Sequence, residues 1–519
     1  MARGSWWALV ALGVVIAQLG AQLAWIARDH SPLGYEVPEH WLAAEEIAAD
    51  LRDTRRDGGS LVQCVLRHRQ LGHRATGVHL YAAAWLAVAP GDRSMLVGAT
   101  WTLGAACVIA LAWGAYGLAR ALAGPEAGAI AAVGLVLAPP VWGFGRVLGV
   151  DLPLAACVLV AARSLVASPP WSRPRAAFRL GLVCGVGCLV KAQLVLWLAG
   201  LVVPAWIVAR RSGLGGRAWL ASALAWAVAL ALGSAFFWAG ATEEILADAR
   251  WSVAGPHTEV PAWDAAALGY YPLGLWAWSG PALGTLGLVG LGAWGFDAAR
   301  RPRSVPPAAW ILVAGAACGL LWWTAYPIKW VRYALPVLPL AAVLAAAGLM
   351  RLPGRVRRTL LALAFAVATA IEVMSSTGID LPLPAPEPAV LCHPPESRDW
   401  RPGVSALAAK LGVIPPGAAI GLVGPADWPS DLYTLLEAHL RPHVPASAEF
   451  FRASDVRDPD DLVRFERAAA GFAAEVHVLR DPDAILARHG WRRVGPFTVY
   501  EVDVPDASLV LVGWRRDVD

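Results

Sequence analysis

Gly181-Leu182-Val183-Cys184-Gly185-Val186-Gly187-Cys188-Leu189-Val190-Lys191 decides how this chain is threaded. It lies in an apolar run, residues 177–209, that is long for one membrane crossing and short for two. Arg173 and Arg175 precede the run; Arg210, Arg211 and Arg217 follow it. Cytoplasmic turns collect Arg and Lys, so one crossing would leave one of these basic turns on the wrong side. Two short segments, 177–191 and 193–209, meeting at Lys191 on the outer side, keep both inside. This reading predicts a helix break at Lys191.

The same rule extends in both directions. Residues Trp6 to Ala27 form a first span with Arg3 before it, and they lack a small-residue cleavage frame, so the segment reads as retained. Further apolar segments fall near 94–119, 128–144, 149–167, 217–239, 270–297, 306–325, 333–350 and 358–376. Arg120, Arg300/Arg301/Arg303 and Arg351/Arg355/Arg357/Arg358 mark inner turns, whereas loop 240–269 carries five acids against Arg250. The expectation is a polytopic α-helical membrane protein of about 11 spans, N-terminus inside and C-terminus outside. Composition agrees: 519 residues are 57% hydrophobic and 16% charged, with mean hydropathy +0.52, against roughly 25% charged in soluble domains. A net charge of +4 selects no partner, and nothing in the pattern suggests nucleic acid.

Two stretches leave the membrane. The first external loop, 28–93, carries an amphipathic helix near Trp41–Arg52 and an apolar stretch, Gly77–Ala89, too short to span. At the other end, domain 1–376 gives way to a Pro-rich linker, 377–395, and then to residues 396–519. That last part reads as an external soluble α/β domain, with strands near 418–423, 475–479, 498–504 and 508–512. Most cysteines sit in apolar segments as small hydrophobes; Cys64 and Cys392 fall outside, which leaves a disulfide between them open.

Four features end on the outer side in this topology: Glu36 in Ser31-Pro32-Leu33-Gly34-Tyr35-Glu36-Val37-Pro38-Glu39-His40, then Asp151, Lys191, and the loop Tyr326–Tyr333 with Lys329 and Arg332. Each has a plain alternative. Glu36 and Glu39 suit a solvated loop, Asp151 suits a helix cap before Leu152-Pro153, and Lys191 can extend its stem to the interface. Lys329 and Arg332 are the exception, because cations on the outer side break the charge rule. With aromatic neighbours they suit an anionic headgroup such as a lipid phosphate.

Taken together, these segments resemble the GT-C membrane glycosyltransferases, particularly family 39, over residues 6 to about 350. Glu36-Val37-Pro38-Glu39-His40 stands where the family has an acidic motif, with Glu for its first Asp and Val for its second acid. Arg146-Val147-Leu148-Gly149-Val150-Asp151-Leu152-Pro153-Leu154 resembles its Arg-to-Asp-x-Pro-Leu segment. The Gly-rich stretch ending at Lys191 resembles its Thr-Lys helix, with Val190 for Thr. Lys329-Trp330-Val331-Arg332-Tyr333-Ala334-Leu335-Pro336 resembles its Lys/His-x-x-Arg-Tyr-x-x-Pro.

The resemblance implies inverting transfer of a sugar from a polyprenyl-phosphate donor to a glycan, lipid or protein acceptor. The setting would be the periplasmic or extracellular face of a bacterial-type plasma membrane. It implies Glu36 as base with Glu39 in reserve, and Asp151 beside the sugar or acceptor. Lys191, Lys329, Arg332, Tyr333, His40 and Arg146 would bind substrate. No cofactor is demanded by the residues, and a divalent metal is left open. A lipid-linked glycan flippase and an oligosaccharide ligase are the competing readings, the first disfavoured because the ionisable groups lie at span ends and not at the midplane.

Overall fold

The computed structural model describes residues 3–29, 37–68, 70–71, 74–89, 93–167, 173–211, 216–238, 265–326, 330–377, 379, 392 and 395, with strands at 419–423, 449–452, 491–500 and 509–516. Loop 240–264, most of 378–395 and the helices expected in 396–519 lie outside the described residues. The chain divides into two compact units: Met1–Ala27 with Ala43–Pro395, and Arg28–Leu42 with Glu396–Asp519.

The first unit is helical. Helix α1 (Arg3–Arg28) is followed by α2 (Val37–Arg56), whose first residues belong to the second unit, and by α3 (Leu61–Arg67). A two-stranded hairpin, β1 (Gln70–Leu71) with β2 (Arg74–Ala75), leads to α4 (Gly77–Leu86). Then come α5 (Arg93–Ala123), α6 (Pro125–Val136), α7 (Pro139–Phe144), α8 (Asp151–Ala167), α9 (Pro174–Val190), α10 (Leu194–Arg211) and α11 (Gly216–Trp238). After residue 264 follow α12 (Ala265–Trp278), α13 (Pro281–Arg300), α14 (Pro307–Ala325), α15 (Val337–Leu349) and α16 (Gly354–Thr377).

Among the described residues seven helices are long and apolar enough to cross a membrane, and α6 and α15 are shorter apolar helices. Helix α1 shows why these are lipid-facing: Trp6, Leu9, Leu12 and Ile16 stand exposed in one stripe, a patch that soluble monomers rarely tolerate. Helix α15 is the opposite case. It is apolar all round, with Val337, Leu340, Val343, Leu344 and Ala347 buried, and it sits at the centre against α5, α6, α13 and α14.

The break at Lys191 is present, and each predicted span overlaps helix among the described residues, although seven of those helices, against about eleven expected spans, are long and apolar enough to cross. Three of the spans are nonetheless interrupted. Residues 270–297 are two helices, because Gly280 (φ +77°) and Pro281 end α12 and start α13. Residues 128–144 break at Ala138, ahead of Pro139-Pro140. A proline lacks the N–H that an interior turn needs and biases the preceding residue away from helix. The third expected span, 333–350, becomes regular helix only at Val337, after a 3₁₀ turn over Val331–Ala334.

Three of the basic turns, near 120–126, 297–303 and 350–358, meet at one end of the bundle. Arg357 forms an ion pair with Glu126 at 2.9 Å, tying the start of α16 to the start of α6. Arg351 does the same with Asp297 near the end of α13. No disulfide links Cys64 to Cys392. The Cys64 thiol donates to Asp50 and the Cys392 thiol to the Pro139 carbonyl.

In the second unit the described strands form one sheet, ordered β4 (Glu449–Arg452), β3 (Ala419–Val423), β6 (Leu509–Arg516), β5 (Trp491–Tyr500). β3 and β4 are parallel; β6 is antiparallel to both β3 and β5. β4 was not expected from the sequence, and β5 begins earlier than the 498–504 read there. The strand expected at 475–479 lies outside the described residues.

Candidate active site

Asp151 is the first residue of α8, and the Leu154 N–H bonds the Val150 carbonyl, so the carboxylate stands in the first turn and does not cap it. Lys191 follows the last residue of α9 in extended backbone (φ −156°, ψ 120°), its N–H bonded to the Gly187 carbonyl at 3.1 Å. Each charge thus sits at the helix pole that favours it, anion at an N-terminus and cation at a C-terminus. The Lys191 Nζ donates to Asp151 Oδ1 at 2.6 Å, with side chains only 16% and 9% exposed.

The glycines of the 181–191 stretch account for the position of Lys191. A Cβ on Gly185 would lie 2.7 Å from Gly233 Cα, and one on Gly181 would lie 2.9 Å from Ala229 Cβ. Without side chains there, α9 and α11 come into backbone contact, the small-residue packing common between membrane helices. A Cβ on Gly77 would meet the Leu189 backbone, so α4 is seated on the same end of α9.

The third element is the 3₁₀ turn Val331–Ala334 between α14 and α15. Tyr333 stacks on Trp323, ring centres 4.6 Å apart at 29°, with Trp330 and Tyr326 around it. Lys191 Nζ lies 5.1 Å from the centre of the Tyr333 ring. Arg332, 5% exposed, has its Cζ 4.1 Å from the Trp330 ring and 5.7 Å from the Tyr333 ring. Aromatic faces stabilise cations held out of water. Gly274 of α12 backs the turn, since a Cβ there would meet Val331 at 2.5 Å. The structure therefore brings Asp151, Lys191, Tyr333 and Arg332 together, two cations to one acid, at the end of the bundle away from the Arg turns.

Arg146 goes elsewhere. It is 1% exposed, held between Trp142 (4.4 Å) and Trp25 (5.1 Å), and it donates to the Ser376 hydroxyl of α16. Glu372, one helical turn before Ser376, and Gln18 and Gln22 of α1 share that buried region. Sequence reading passed over these three, although Gln18 and Gln22 at i, i+4 on an apolar helix were a signal. Glu36 and Lys329 lie outside the described residues. Glu39 and His40 fall in the first turns of α2, where His40 is buried.

Asp151 is the one acid in the described part of this cluster, and Lys191 engages it. Among the described residues one group of three side chains able to hold a metal ion occurs, Asp50, Cys64 and His68, in the α2–α3 region.

No protein-family model and no curated protein matches the chain. Solved structures do. ArnT from Cupriavidus metallidurans bound to undecaprenyl phosphate matches with a TM-score of 0.61 at 14% identity, over 99% of this chain and 98% of that one. Its apo form matches with 0.60 at 13%, over 98% of each chain. An Archaeoglobus fulgidus oligosaccharyltransferase in the apo form follows at 0.45 and 13% identity, over 78% of this chain and 58% of its own. At such identities the likeness establishes the fold alone: the chain shares the architecture of ArnT over nearly the whole length of both chains.

Proposed function

We propose that the chain is a membrane glycosyltransferase, moving a sugar from a polyprenyl-phosphate donor to an acceptor at the outer face of a bacterial-type plasma membrane. The observation that carries this reading is the juxtaposition of Lys191 and Arg332 over Tyr333, with Asp151 beside them, at the helix ends opposite the basic turns. Two cations set on aromatic faces suit a lipid phosphate, and ArnT, which shares the fold, was solved with undecaprenyl phosphate bound.

In this reading Lys191 and Arg332, with Lys329, hold the phosphate. The bond between the anomeric carbon and the phosphate oxygen breaks, its electron pair stays on the phosphate, and the cations offset that charge. A hydroxyl or amine of the acceptor attacks from the opposite face, so the configuration inverts. Its proton passes to Glu36, or to Glu39 in reserve. Asp151 faces the positive charge that develops on the sugar and keeps Lys191 in place. Arg146 supports the link between α7 and α8 that presents Asp151.

The test is a screen of labelled polyprenyl-phosphate sugars with the purified full-length protein and extracted envelope acceptors. Transfer of label, weakened by a factor of tens in Arg332→Ala, is expected, since a charge-assisted contact contributes about 1.5–3 kcal/mol. Movement of labelled lipid across proteoliposomes with no transfer would replace this reading with the flippase.

A further inference from the structure

Helix α3 has seven residues, and among them only Cys64 is buried; Leu61, Val62 and Leu66 are exposed. So short a helix does not hold itself in water. It is set against α2 by a turn through Gly58 (φ +69°) and by its N-cap, where Ser60 Oγ accepts from the Gln63 N–H. The remaining attachment is polar. Cys64 Sγ lies 3.3 Å from Asp50 Oδ2, and His68 Nε2 lies 2.8 Å from the same oxygen. Cys64 and His68 are four residues apart and so share one face of the last turn of α3.

We propose that Asp50, Cys64 and His68 form a site for one divalent zinc-like cation that staples α3 to α2. Three observations carry it. The donor set, a thiol, an imidazole and a carboxylate, is one that zinc takes. The three ligand atoms all lie within 4.8 Å of one another. Ordinary zinc bond lengths in a tetrahedron set S···O and N···O edges at about 3.3–3.5 Å, so the observed edges need to open by only tenths of an ångström. The fourth position is left to water.

Arg67 would compete with the cation for Asp50. Its Nη2 lies 3.1 and 3.0 Å from the two Asp50 oxygens and 3.3 Å from Thr54 Oγ1. Its side chain is 57% exposed, so it can swing into solvent. Binding breaks the Cys64 S–H bond, forms the metal–sulfur bond and releases one proton. Because that proton is released on binding, affinity rises with pH. The bound ion would brace the segment that leads through the β1–β2 hairpin to α4, which rests on the end of α9 next to Lys191.

The experiment uses the full chain in detergent, stripped with a chelator. Zinc is titrated in competition with a chromogenic chelator, and cobalt(II) is added separately for its spectrum. Expected are one zinc per chain, one proton released, and a thiolate-to-cobalt charge-transfer band. Cys64→Ser and His68→Gln should each weaken zinc by about 100-fold or more, and Arg67→Ala should tighten it. Cys64→Ser should also abolish the band. Less than one equivalent bound, wild-type affinity in both ligand variants, or cobalt binding without the charge-transfer band would overturn the assignment. Should the ligand variants misfold, the wild-type cobalt spectrum and Arg67→Ala still decide it.

Discussion

Lys191 and Asp151 stand forty residues apart on the facing ends of α9 and α8, and they form one closed ion pair of 2.6 Å. The pair is locally neutral. Removing one partner leaves a charge uncompensated near the membrane surface. Asp151→Asn or Lys191→Met alone should destabilise by about 3–5 kcal/mol at most, and the double variant should recover much of that. Thermal unfolding in detergent measures it. Transfer activity should not recover in the double variant; if it does, the pair is structural only.

Glu36→Gln should preserve folding and donor binding while turnover falls by a factor of about 100 or more, the scale of a general base. Glu39→Gln in the same assay is the control. An inactive Glu39→Gln beside an active Glu36→Gln would move the role three residues along.

Gly185→Val should disrupt the α9–α11 contact, because Gly233 Cα stands 2.7 Å from the position of the new Cβ. Overpacking of this kind costs about 1–3 kcal/mol. Donor use should fall with stability as Lys191 shifts. Gly287→Ala in α13, where nothing lies within 4 Å, should show neither effect.

In the metal-free protein the Arg67 guanidinium, with smaller help from His68 and Cys64, outweighs burial and lowers the Asp50 carboxyl from 3.8 to about 2. A lowered carboxylate stabilises the fold above its unfolded pKa and loses that contribution as pH falls through the folded one. Protection of residues 57–68 from hydrogen exchange should therefore hold from pH 7 to about 4 and fade from there toward pH 2. In Arg67→Ala the Asp50 carboxyl loses the partner that lowers it most, so this pH dependence should shrink, and Asp50→Asn should remove it.

The break at Lys191 was legible because charge on both sides of one apolar run admitted a single solution. The break at Ser279-Gly280-Pro281 was equally visible as turn chemistry, but hydropathy across 270–297 outweighed it. Asp151, Lys191 and Arg332 could be chosen as span ends; that Tyr333 would seat Lys191 depended on the packing of α9 against α11. The Asp50, Cys64 and His68 group was hidden, since its members come together only after the chain reverses at Gly58. Glu372 was hidden similarly, being a lone acid on a helix that only the bundle brings near Gln18, some 350 positions away in sequence.

Helix α12 has one further consequence. Its fourteen residues rise about 21 Å, short of a hydrocarbon core of about 30 Å. One face is buried through Ala267, Tyr271 and Leu275, while Leu268 and Leu273 face outward. Where α12 alone meets lipid, a helix this short would be matched by local thinning, drawing the headgroups of that leaflet toward the Val331–Ala334 turn that it backs. Bilayer thickness then becomes a variable of the proposed reaction: the same protein should work faster in short-chain lipids, where that deformation is already made, than in long-chain lipids, where each turnover proceeds against it.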